Sequence, residues 1–120
     1  MPDSLRIVEG NSFDLRFNGR KENLHSLWDT VLVELEQGTP AEIAAQIQAG
    51  VSGEDLQQWQ QGTPADWALE SLAIVRAQVY RLPASSEIDA TYVEPARAVI
   101  RTRLTQAGAR LAWILNETLR

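Results

Sequence analysis

The chain has 120 residues, 44% of them hydrophobic, with sixteen acidic side chains against eleven Lys and Arg, for a formal net charge of −5. That apolar content excludes a disordered chain and leaves room for one modest core. The absence of cysteine excludes disulfides and cysteine-based zinc fingers, and no apolar run is long enough to span a bilayer.

Residues 13–17 (Phe-Asp-Leu-Arg-Phe) alternate apolar and polar, which predicts a half-buried strand, and Asn18-Gly19 behind it is a tight-turn signal. Leu5, Ile7 and Val8 are the expected partner strand. From Asn23 the period becomes helical. Leu24, Leu27, Trp28, Val31, Leu32 and Leu35 form an apolar stripe, with Asn23 as the N-cap. Thr39-Pro40-Ala41-Glu42 carries the cap, the first-turn Pro and the acid of a helix start, and Gly50 ends that helix. A short segment from about Ser52 to Gln61 closes at Gly62. Thr63-Pro64-Ala65-Asp66 then opens a longer helix with Trp67, Ala68, Leu72, Val75 and Val79 on one face, broken at Leu82-Pro83. The last helix is expected from about Val93 to Leu119, with Ala96, Ile100, Leu104, Ala107, Leu111 and Leu115 inward and Gly108 permitting close helix contact. The expected fold is mainly α: a bundle of four or five helices behind a small N-terminal β element, forming a single partial domain over 1–120.

Charge is segregated along the chain. Asp29, Glu34, Glu36, Glu42, Glu54, Asp55, Asp66 and Glu70 occur in a stretch without Lys or Arg, whereas Arg97, Arg101, Arg103, Arg110 and Arg120 meet only Glu94 and Glu117. Both blocks read as solvated helix faces. An acidic chain gains little from counterion release on a phosphate backbone, so any handling of nucleic acid needs bound metal to supply positive charge.

The single histidine is the one residue placed for metal chemistry. His25 and Asp29 stand four apart, so on a helix they share a face and can reach one cation. Imidazole nitrogen and carboxylate oxygen both suit zinc. By spacing alone the same pair also fits an ordinary surface hydrogen bond, and a zinc here would need further ligands from elsewhere. Ser26 adjoins His25, but consecutive helical positions do not face each other, so no nucleophile–base pair forms. No phosphate-cradling glycine loop or dinucleotide fingerprint is present. Trp67 with Glu70-Ser71 reads as helix packing with a polar edge rather than a substrate contact.

Three blocks together carry a resemblance. Gly10-Asn11-Ser12-Phe13-Asp14-Leu15-Arg16-Phe17-Asn18-Gly19 leads into Asn23-Leu24-His25-Ser26-Leu27-Trp28-Asp29-Thr30; Trp67-Ala68-Leu69-Glu70-Ser71 follows; Ala107-Gly108-Ala109-Arg110-Leu111-Ala112 with Leu115-Asn116 closes the series. In this order and spacing the chain resembles the C-terminal part of the zinc-dependent S1/P1 nuclease family, whose fold is shared with phospholipase C.

The resemblance implies a helical domain over twice this length that holds three zinc ions in a cleft. It implies hydrolysis of phosphodiester bonds in single-stranded DNA and RNA, in many members with removal of 3′-phosphates from nucleotides. It assigns His25 and Asp29 as ligands of one zinc, with no other catalytic residue on this chain. The family's processed N-terminal Trp and its His-x-x-x-Asp-x-x-x-x-x-His motif have no match in these residues, so the expected site is partial and the isolated chain inactive. The implied partners are single-stranded nucleic acid or nucleotides, and an N-terminal half or a second copy against the uncovered apolar face. The implied location is secreted or periplasmic, although Met1–Arg6 does not read as an export signal. A fragment or truncated reading frame would account for both. Two alternatives stand beside this: a non-catalytic helical interaction module, and a zinc phospholipase of similar fold.

Overall fold

A computed structural model describes residues 14–120, and among them the protein is mainly α, as expected. Strands β1 (Leu15–Phe17) and β2 (Arg20–Glu22) form an antiparallel hairpin in the register Leu15↔Glu22, Arg16↔Lys21, Phe17↔Arg20. Asn18 and Gly19 both take positive φ, 50° and 78°, the handedness that a two-residue hairpin turn demands. Among the described residues the strand partner of β1 is therefore the polar Arg-Lys-Glu run, whose composition hides its role. Leu5, Ile7 and Val8 lie outside the described residues.

Asn23 caps the next segment as expected, its extended backbone letting Oδ1 accept from the Ser26 N–H at 2.8 Å. The helix it starts is not uniform. Helix α1 (Leu24–Ser26) passes into a π turn (Leu27–Val31), closed by Leu32 N–H to the Leu27 carbonyl at 2.8 Å, and then a 3-10 turn (Val33–Leu35). The apolar spacing marked this stretch as helical but did not distinguish the three windings.

Helices α2 (Pro40–Gln48), α3 (Gly53–Trp59) and α4 (Pro64–Ile74) begin at Thr39, Ser52 and Thr63, each side chain accepting from the backbone three residues on. Asp55 and Asp66 return the bond, completing capping boxes. A second π turn (Val75–Val79) extends α4. After a loop, α5 (Ala90–Thr118) starts three residues earlier than the periodicity indicated, because Asp89 caps it by accepting from Thr91 N–H at 3.0 Å. Pro95 lies inside α5, where it denies the Thr91 carbonyl its helical partner.

The core gathers at one end of the molecule. Leu15, Leu24, Leu27 and Leu32 pack with Ile88, Val93, Ala96 and Ile100, so the hairpin and first helical segment close on the N-terminal half of α5. Each fully buried leucine contributes roughly 2 kcal/mol. Backbone bonds from Arg16 N–H to Ser86 and from Ile88 N–H to Arg16 pin the hairpin to the loop before α5.

Beyond Ile100 the expected inward face of α5 does not hold. Leu104, Leu111 and Leu115 are exposed, while Gln106, Ala109 and Arg110 are buried. The face of α5 turned to α3 and α4 is the one that carries polar anchors, and the apolar stripe points away from them. A Cβ added at Gly108 would meet no neighbouring atom within 4 Å, so it permits no close contact either. Helices α2, α3 and α4 bury no residue fully, and on α4 even Leu72 remains 39% exposed.

Candidate functional site

The Asn23 cap sets the site. It begins the helix so that Leu24 and Leu27 enter the core, which leaves His25 on the outer side. Ser26 is engaged by its neighbours, its hydroxyl donating to Asn23 Oδ1 at 3.0 Å and lying 3.3 Å from Glu22 Oε2, so it is no nucleophile for His25. The π turn then brings Asp29 back over His25. His25 Nε2 and Asp29 Oδ2 are 2.7 Å apart, and the two side chains are 69% and 64% exposed. The pair that the sequence singled out is thus brought together on an open surface, the imidazole nitrogen and the carboxylate oxygen at direct hydrogen-bond distance.

Among the described residues no group of three or more His, Cys, Asp or Glu side chains is placed to hold a metal ion. The donor set fits zinc in kind, and it supplies two ligands of the four a closed shell requires.

Trp28, between the two, faces inward. Its indole N–H donates to Tyr92 Oη at 2.9 Å, and the rings meet edge to face at 6.2 Å. Tyr92 donates in turn to the Val79 carbonyl at 2.7 Å. Burial pushes its phenol above the usual tyrosine range. No spacing rule links residues 28 and 92, so sequence reading had no signal for this contact.

The segregated charges are not simply solvated faces, which corrects the reading from sequence. Arg101 donates to both oxygens of Glu36 at 3.0 and 2.8 Å, with Arg97 3.8 Å away. These bonds, Arg101 first, hold the Glu36 carboxyl below its ordinary range despite its burial. Arg110 grips both oxygens of Glu70 at 2.8 and 2.9 Å, donates to the Trp59 carbonyl at 2.9 Å, and stacks 5.0 Å over the Trp67 ring. Arg103 adds bonds to Glu70, Ser71 and Gln106. Glu70 too is held below its ordinary range, chiefly by Arg110. Trp67, Glu70 and Ser71 are therefore packing residues that tie α3 and α4 to α5. The complementary signs of the two blocks were the available clue.

The family model for S1/P1 Nuclease matches residues 8–120. The chain belongs to the S1/P1 nuclease family. Among curated relatives of this nuclease family, Endonuclease 1 of Arabidopsis thaliana is 29% identical over 122 residues, covering 89% of this chain and 40% of the relative. Endonuclease 4 of the same plant is 28% identical over 123 residues, covering 89% and 41%. The chain thus spans about two-fifths of the length of the relatives it matches. The paired His25 and Asp29, the Glu70 anchor and its Arg110 partner all lie within the nuclease match.

Proposed function

We propose that this chain forms part of a zinc-dependent nuclease domain and that His25 and Asp29 supply two ligands to one of its zinc ions. The observation that carries this is the convergence of His25 Nε2 and Asp29 Oδ2 at 2.7 Å on an exposed face. Both sit within the block that most resembles the family's metal motif. Zinc, when bound, polarises a phosphoryl oxygen and makes hydroxide accessible near neutral pH, the chemistry of phosphodiester hydrolysis. The chain's own work is to orient its two donors. Asn23 fixes the start of the helix, and the buried Leu24 and Leu27 turn His25 outward. The remaining ligands belong to the complete domain, and the family's contacts to single-stranded nucleic acid or 3′-nucleotides are expected there as well. A secreted or periplasmic location follows from the same resemblance; no helix of the described residues is long and apolar enough to cross a membrane.

One observation favours a second reading, an interaction module acting through its uncovered helices. Leu69 on α4 and Leu111, Ile114, Leu115 and Leu119 at the end of α5 are between 40% and 78% exposed. An N-terminal half of the domain and a second copy are the two occupants to test.

Zinc titration separates the readings. The parent chain is expected to bind one Zn²⁺ weakly, and His25→Ala and Asp29→Asn to bind at least ~10-fold more weakly. Equal affinity of all three would remove the ligand assignment. Assay of the completed domain on single-stranded DNA against phosphatidylcholine vesicles distinguishes a nuclease from a phospholipase sharing the fold.

A further inference from the structure

The two π turns among the described residues are distant in sequence, and one phenol joins them. Trp28, in the first, donates its indole N–H to Tyr92 Oη at 2.9 Å; Tyr92 donates onward to the carbonyl of Val79, the last residue of the second, at 2.7 Å. The hydroxyl thus both accepts and donates. Trp28 directly precedes Asp29. The π winding that carries both rests on the five-residue bond between Leu32 N–H and the Leu27 carbonyl. Such winding is rare and occurs mostly as single turns within helices. Leu27 and Leu32 supply apolar burial, which is not directional, whereas the indole bond fixes an angle. A cavity of about 210 Å³, lined by Trp28, Tyr92, Gln78 and Arg81 among others, lies beside the clasp. The rings are therefore not wedged in place on that side by packing.

We propose that Tyr92 is a positioning residue for the His25–Asp29 pair: by clasping Trp28 it holds the first π turn in register and keeps Asp29 Oδ2 beside His25 Nε2. Ordinary α winding also sets residues four apart on one face, so loss of the clasp would change the angle and spacing at which Asp29 meets His25 rather than part the two. The effect on metal binding rests on the zinc reading above. The effect on the geometry does not.

Tyr92→Phe keeps the ring and deletes both bonds. The single histidine makes the imidazole resonances unambiguous in NMR. In the metal-free chain, hydrogen exchange at the Leu32 amide is expected to rise about ten-fold and the His25 imidazole signals to shift. Exchange at Ile43 in α2 and Trp67 in α4 should stay within about two-fold of the parent. Trp28→Phe breaks the clasp from the other side and should give the same pattern, so it decides the matter should Tyr92→Phe fail to fold. Unchanged Leu32 and His25 signals, or a uniform rise across every helix, would overturn the proposal.

Zinc titration supplies the second readout, with Tyr92→Phe expected to bind about ten-fold more weakly than the parent. Equal affinity of parent and Tyr92→Phe, with His25→Ala weaker than both, would also overturn it. Altered Leu32 and His25 signals combined with equal zinc affinity of parent and His25→Ala would sink the zinc reading and leave the positioning role standing.

Discussion

Glu36 and Glu70 are each held by arginines of α5, and their chemistry dictates how the protein responds to acid. Both carboxyls titrate below their ordinary value of 4.5, because the arginines Arg101 and Arg110 donate to the charged form. A carboxyl whose folded pKa is depressed contributes stability above its unfolded pKa and loses it as pH falls through the folded one. Urea denaturation at a series of pH values is therefore expected to show stability declining from about pH 4.5 downward, starting where the unfolded carboxyls take up protons. In Glu36→Gln, whose side chain has no charge to lose, that decline should be shallower and stability at neutral pH lower. An unchanged acid limb would show that the Glu36 ties carry no linkage. The residues involved were visible as two blocks of opposite sign, yet their pairing was not, since Glu36 and Arg101 are 65 positions apart.

At the scale of elements, local chemistry and sequence agree well at helix starts and poorly at helix faces. Asn23, Thr39 and Thr63 cap where their types and neighbours indicate, since a cap is satisfied within three residues. The glycines illustrate the contrast. Gly62 has φ +91° just before the Thr63 cap, and a Cβ there would stand 3.1 Å from Asp66 Oδ2. Gly62→Ala is expected to cost about 1–2 kcal/mol. Gly108 sits mid-helix in open space, so Gly108→Ala should add up to about 1 kcal/mol. Thermal melts of the two variants should move in opposite directions. A destabilised Gly108→Ala would mean that something does approach that position closely, as its sequence context alone had indicated.

The whole molecule is a slab, 49 × 40 × 22 Å, with a radius of gyration of 16.5 Å where a compact chain of this length has about 14 Å. Its apolar core lies at the end where the hairpin, the first helical segment and Ile88 meet the start of α5. The other end is joined by polar ties through Arg103 and Arg110, and leaves leucines in water. A dye that fluoresces in apolar environments is expected to bind the native chain, and Leu111→Glu with Leu115→Glu to reduce that signal by about half or more with helicity retained. Fluorescence no greater than that of a compact control protein would show that this face is already covered in solution.

What the sequence by itself determined is whatever is settled within a few residues: the helix caps, the Asn18-Gly19 turn, the mainly α class, and the adjacency of His25 and Asp29 on one helical face. Side chains one turn apart, or a cap and its third neighbour, meet for reasons the local backbone contains. The tertiary structure alone decided the winding of the segment that carries Asp29, the Tyr92 clasp on Trp28, the arginine partners of Glu36 and Glu70, and which side of α5 is buried. Each depends on how distant elements lie against one another, and the apolar period of α5 is satisfied equally by a core or by a surface awaiting one.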